Sequence, residues 1–170
     1  MKNIIISSIW YILPAYVANA SACIFGGGSP LDNNAYFFDG KRILGDGVTY
    51  RGCFFGILFG TLTGIIQSII HYIYFKNFTT DYIILAFLLS FGAIFGDAVG
   101  SFIKRRINIE RGKPAPLLDQ LDFVIFAIIF GSIIKPISFE EITVILILTV
   151  FIHILGNVIA YLLKIKDVWW

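Results

Sequence analysis

Charge is scarce in this chain: Asp, Glu, Lys and Arg make up only 14% of its 170 residues, against about 25% in an ordinary globular domain. Cysteine is nearly absent. Cys23 and Cys53 form no framework of pairs and no metal-ligand spacing, which excludes a disulfide scaffold and a Cys-based zinc module. No internal repeat, long polar tail or linker marks a second domain, so residues 1–170 read as a single domain. What is abundant is apolar surface, at 58% of residues.

That surplus gathers into five stretches, Ile4–Phe25, Cys53–Phe75, Tyr82–Ile103, Phe123–Ile134 and Ile142–Leu163. A bilayer core takes roughly 20 apolar residues of helix. Four stretches have that length. The fourth holds 12 residues before Lys135 and Pro136 and crosses only with help from Leu117–Asp122. Backbone polar groups in lipid must be satisfied internally, so the spans are helices. The expected fold is all-α, a polytopic membrane protein with five transmembrane helices and with loops at about 26–52 and 104–122. Lys2, the first apolar run and Ala18-Asn19-Ala20 also match a cleavable leader, a reading the charge distribution disfavours.

With five spans, ten Lys and Arg residues fall on one side and three on the other. The positive-inside rule then predicts an external N-terminus, a cytoplasmic C-terminus and both long loops in the cytoplasm, where nucleotides are. In the second stretch Gly52, Gly56, Gly60 and Gly64 recur at every fourth position, a smooth stripe for close helix packing. Gln67 and His71 are read as packing or interfacial groups.

Asp97 is the most informative residue. A carboxylate inside an apolar span costs a few kcal/mol unless it is paired, hydrated or bound to metal. Ser101 and Lys104 follow it at i+4 and i+7 on one helix side. Then come Lys104, Arg105, Arg106, Arg111 and Lys113, and two acids at i, i+3, Asp119 and Asp122. Cations at a membrane edge also serve as topology determinants. Three acids converging beside them instead form an inventory for phosphoryl or nucleotidyl transfer, since Mg²⁺ is held by a few carboxylates plus substrate phosphates.

The pattern Ser101-x-x-Lys104-Arg105, Lys113, Asp119-x-x-Asp122 resembles the signature of the phosphatidate cytidylyltransferases. The segment from Lys113 to Asp119 is shorter than that signature, and Gln120 stands where Arg is expected. Those departures resemble the family's short archaeal branch, the CDP-archaeol synthases. Pro14 to Asn19, Pro30-Leu31-Asp32, Asp39-Gly40, Gly45 to Gly52, Gly96-Asp97 and Pro116 to Asp122 agree with that branch. Lys is expected where Val48 stands, so any cation needed there must be Lys41, Arg42 or Arg51.

The resemblance implies CTP and a membrane lipid phosphate, 2,3-bis-geranylgeranyl glycerol 1-phosphate, as substrates, giving CDP-archaeol and pyrophosphate. It implies a multi-pass enzyme of the cell membrane with its site facing the cytoplasm, and no nucleic-acid partner. Asp97, Asp119 and Asp122 would hold Mg²⁺. Asn19, Ser101, Lys104, Arg105 and Lys113 would bind CTP, with Lys104 also catalytic. Asp46, Thr49 and Arg51 are expected at the lipid phosphate.

Two other readings are open to the sequence. Asp46-Gly47-x2-Tyr50-Arg51-x8-Gly60 follows the CDP-alcohol phosphotransferase motif, but its last two metal ligands fall on Gly64 and Ser68, where no carboxylate is available. A small lipid or ion transporter would use Asp97, His153 and Asn157 as a polar path. His153 and Asn157 are read instead as interhelical hydrogen-bonding groups.

Overall fold

The computed structural model describes residues 3–76, 80–110, 112–162 and 164. Three of the cations in the topology count, Lys2, Arg111 and Lys166, lie outside them. Five helices follow in chain order: α1 (Ile4–Ile24), α2 (Tyr50–Phe75), α3 (Asp81–Arg106), α4 (Leu118–Gly131) and α5 (Phe139–Leu162). Among the described residues no strand forms; two isolated bridges, Pro30 with Thr49 and Tyr36 with Arg42, shape the first long loop.

Four of the helices, all but α4, are long and apolar enough to cross a membrane. The 14 residues of α4 rise only about 21 Å, short of a hydrocarbon core of about 30 Å. Large apolar side chains such as Ile66, Tyr74, Ile133 and Phe151 face outward, which suits helices solvated by lipid rather than water.

The ends of the helices follow local chemistry. Asn3 caps α1 through its side-chain oxygen, which accepts from the Ile5 and Ile6 N–H groups. Thr49 caps α2 by accepting from Gly52 N–H at 3.1 Å. In α3 Asp81 opens the first turn and Lys104, Arg105 and Arg106 close the last, each sign complementing the helix dipole. Ser138 and Glu141 form a reciprocal capping box at the start of α5.

α1 touches every other helix. Pro14 lies inside it, and because proline carries no N–H, the Trp10 carbonyl one turn back loses its helical donor. Gln67 of α2 supplies the missing bond, its Nε2 donating to Trp10 O at 2.7 Å. The glycine stripe of α2 lies in the crease between α1 and α3. A Cβ at Gly60 would stand 2.8 Å from the Pro14 carbonyl, and one at Gly64 would stand 2.5 Å from both Tyr82 O and the Ala86 methyl. The core is built from small and aliphatic side chains, including Ile12, Ala15, Leu89, Ala93, Val124 and Ile145.

Asp32 organises the first long loop. It accepts from Arg42, at 2.7 Å, and from the N–H groups of Asn34, Leu44 and Gly45. Burial alone would push its carboxyl up. The Arg42 guanidinium and the three backbone donors outweigh that and hold it well below the usual carboxylate range. Arg106 fastens this loop to α3. Its guanidinium lies 3.2 Å from Asp39, donates to the Arg42 carbonyl, and stacks over Phe37 and Phe102. Lys41 returns the contact, its Nζ donating to Arg106 O at 2.8 Å.

Candidate active site

Asp97 stands two turns before the end of α3 with its carboxylate at a cleft of about 260 Å³. α4 brings Asp119 and Asp122 to the same cleft, the preceding loop brings Lys113, and α3 adds Lys104. Lys104 Nζ lies 2.9 Å from Asp119 Oδ1, while Asp119 Oδ2 accepts from Ala115 N–H at 2.8 Å. Asp119 is thus both an ion-pair partner and the tie that folds residues 115–119 onto the start of α4.

Asp122 is held closely. One oxygen accepts from Phe123 N–H at 2.7 Å, and the carboxylate nests against Gly100, where a side chain would overlap it. The neighbouring Gly96 lets the Asp122 and Phe123 backbone approach α3 in the same way. The glycines on either side of Asp97, at i−1 and i+3, therefore admit the second carboxylate.

The described residues contain no Lys or Arg ion-paired with Asp97 or Asp122. They also contain no group of three His, Cys, Asp or Glu side chains drawn together tightly enough to hold a metal ion. The three carboxylates line one cleft, two of them without an ion-pair partner among the described residues, so an ion there would have to take further ligands from substrate phosphates and water.

α1 and α5 close the cleft with Asn19, Cys23, His153 and Asn157. His153 Nδ1 and Asn157 Nδ2 lie 3.3 Å apart. Cys23, His153 and Asn157 were not among the residues expected at the site. A neutral polar residue in an apolar helix looks the same in sequence whether it bonds a neighbouring helix or lines a cavity. The i, i+4 spacing of His153 and Asn157 was the available sign that they share a face.

A second, smaller cleft of about 150 Å³ lies on the other side of Asp97. It shares Asn19, Cys23 and Asp97 with the first and adds Asp46, Val48 and Thr49. Asp46 and Thr49 thus meet the site from the first long loop, although the Thr49 hydroxyl also caps α2. Arg51 does not join them; its Nε donates to the Phe25 carbonyl at 2.8 Å. Ser101 and Arg105 line neither cleft. Ser101 is buried, and Arg105 lies against Gly45, whose Cβ would be 3.6 Å from Arg105 Nε. Of the cations that could stand in at Val48, Lys41 is bonded to Arg106, while Arg42 pairs with Asp32 and, at 3.0 Å, with Asp46, which lines the second cleft with Val48.

The family described as CarS-like, CDP-archaeol synthase, matches residues 1–170. The chain belongs to the CarS-like family. A CDP-archaeol synthase of Methanocaldococcus jannaschii is 64% identical over 99% of this chain and 98% of its own length. One from Methanococcus maripaludis is 54% identical over 98% of this chain and 97% of its own. A solved structure described as an intramembrane enzyme for archaeal membrane lipid biosynthesis superimposes with a TM-score of 0.82 at 34% identity, covering 90% of this chain and 94% of that one. Family membership and the apolar helices together make this a multi-pass membrane protein.

Proposed function

We propose that this protein is a CTP-dependent cytidylyltransferase that converts an archaeal ether-lipid phosphate, 2,3-bis-geranylgeranyl glycerol 1-phosphate, to CDP-archaeol and pyrophosphate. The observation that carries the reading is the gathering of Asp97, Asp119, Asp122, Lys104 and Lys113 at one cleft in a chain of the CarS-like family.

An oxygen of the lipid phosphate attacks the α-phosphorus of CTP. A new P–O bond forms, the bond from that phosphorus to the oxygen bridging to the β-phosphate breaks, and pyrophosphate leaves in line. The attacking phosphate is already an anion near neutral pH, so no general base is needed. Lys113 and Lys104 hold triphosphate oxygens and offset the charge that develops on the leaving group. Lys104 is oriented for this by Asp119. Asn19, on the wall between the two clefts, offers an amide to the nucleotide, and Asp46 and Thr49 border the place of the lipid phosphate. Asp97, Asp119 and Asp122 would share the hold on Mg²⁺ with substrate phosphates and water, and the ion would supply electrostatic stabilisation of the transferring group.

The cation distribution supports a cytoplasmic site, where CTP is available, with α4 as a short fifth span whose start carries Asp119 and Asp122. Radiolabelled CTP, lipid phosphate and Mg²⁺ given to the purified protein test the function. Equimolar CDP-lipid and pyrophosphate are expected, with little turnover of purine triphosphates. Failure to form CDP-lipid in folded protein would overturn it.

A further inference from the structure

Two apolar grooves flank α5. The larger, about 550 Å³, runs between α5 and α1–α4 past Ala20, Phe123 and Gly156. The other, about 350 Å³, lies on the opposite flank between Val150 and Ile154 of α5 and the Pro116–Gln120 segment. Their volumes fall within the roughly 300–1,000 Å³ of small-molecule sites. Both join the polar cleft. The larger shares Asn19, Cys23, His153 and Asn157 with it, and the smaller shares Pro114, Asp119 and Asn157.

Asn157 borders all three spaces. The helix period explains this. Thr149, His153 and Gly156 make one stripe on α5 and Val150 and Ile154 the next, and Asn157 sits on the boundary between them. Both grooves open toward lipid, where Ile152 and Ile154 are exposed. They are strongly apolar yet end at an amide beside carboxylates and lysines. A single-chain ligand would need one groove. Two apolar grooves and one polar cleft meeting at a point fit a molecule with two apolar chains and one phosphate on adjacent carbons.

We infer that a two-chain lipid phosphate sits astride α5, one chain in each groove, with its glycerol at Asn157 and its phosphate beside Asn19 and Asp97, where the polar cleft meets the smaller cleft lined by Asp46 and Thr49. This rests on the cytidylyltransferase reading for the identity of the phosphate's target. Asn157 stands where the two grooves and the polar cleft meet, making it a positioning residue that selects two-chain over one-chain substrates. The bilayer delivers the lipid sideways past α5, while the nucleotide enters from the aqueous side.

Two measurements test this on the full-length protein in detergent or lipid. A Cβ at Gly156 meets nothing within 4 Å, so Gly156→Leu starts a side chain into the larger groove without a backbone clash. It should raise KM for a two-chain lipid phosphate by about tenfold or more, leave KM for CTP unchanged, and narrow the preference over a one-chain phosphate. An unchanged lipid KM with wild-type folding overturns the proposal. Independently, a lipid phosphate carrying a diazirine in each chain is photolysed with wild-type protein. Labelling of both flanks, on the Ala20 and Phe123 walls and on Pro116–Gln120, is expected, with loss of label on adding unlabelled lipid phosphate. Labelling confined to one flank or to the α2–α3 surface sinks it, whatever Gly156→Leu does. Wild-type protein that makes no CDP-lipid would instead indict the functional reading, because the photolabel reports lipid occupancy without turnover.

Discussion

Gly100 of α3 and Asp122 of α4 occupy each other's space: a Cβ on Gly100 would fall within the Asp122 carboxylate and 2.8 Å from its Cγ. Gly96, one turn earlier, packs as closely, since a Cβ there would stand 2.9 Å from Phe123 Cα. Gly100→Ala must therefore turn the carboxylate away from the cleft or part the two helices. Overpacking of this kind costs about 1–3 kcal/mol. The expected result is a fall in kcat of about tenfold or more, accompanied by a lower melting temperature. Full activity in Gly100→Ala would show that the position of Asp122 does not matter to the reaction.

The three carboxylates should respond differently to →Asn substitution. Each change removes a charge from a site proposed to hold a divalent cation, which predicts rate losses on the order of a hundredfold. Asp97 has no cationic partner among the described residues, so Asp97→Asn should melt no lower than wild type, neutral amides being less costly than carboxylates at that depth. Asp119 pairs with Lys104 and accepts from Ala115 N–H. Asp119→Asn should therefore lower both rate and stability. Chelation of Mg²⁺ should abolish turnover, and titrating Mg²⁺ back should restore it at higher concentration in the Asn variants. Activity that persists across a magnesium titration in both Asp119→Asn and Asp122→Asn would rule out the metal site.

The neighbouring cations separate into nucleotide contact and scaffold. Lys113 lines the cleft, so Lys113→Ala should raise KM for CTP with little change in melting. Read from sequence, Arg106 is one more topology charge. In the structure it binds Asp39, the Arg42 carbonyl and two aromatic rings, and its loss frees the loop that carries Asp46 and Thr49. Arg106→Ala should expose residues 33–42 to protease and lower the melting temperature by several degrees. Unaltered proteolysis would mean that Asp32 and its partners hold the loop alone.

What the sequence revealed follows from how local each signal is. The long helices were legible because a run of apolar residues bounded by caps and charges needs no tertiary context, and the expected spans fall within the observed ones apart from their ends. α4 was harder. Its 12-residue apolar run reads as a span only if flanking residues are borrowed, and the observed helix begins at Leu118, with Asp119 and Asp122 in its first turns. Asp97 was visible because an acid in an apolar helix is expensive wherever it packs. Spacing puts Ser101 and Lys104 near its face, yet they are displaced to opposite sides of it, about 60° apart around the helix. Lys104 reaches the cleft and Ser101 does not. The roles of Asn157 and Arg106 depend on partners remote in sequence, and that of Asp32 on how its own loop folds back, none of which residue type and spacing specify.

Gln67 offers a test of the scaffold alone. Pro14 leaves the Trp10 carbonyl without its helical donor, and Gln67 Nε2 fills the vacancy at 2.7 Å from within the α1–α2 interface. Gln67 is 2% exposed, so no water reaches the carbonyl easily if the amide is removed. Gln67→Leu preserves bulk but strands that oxygen, at a cost of about 1–3 kcal/mol. Gln67 lines neither polar cleft. Turnover per folded molecule should therefore stay near wild type while the melting temperature falls. Pairing the change with Pro14→Ala decides the cause, since alanine restores an N–H one turn below Trp10 and makes the glutamine redundant. In the Pro14→Ala background, Gln67→Leu should cost distinctly less than in the wild type. Equal losses in the two backgrounds would mean that Gln67 acts through packing, and that the proline-freed carbonyl is not what it serves.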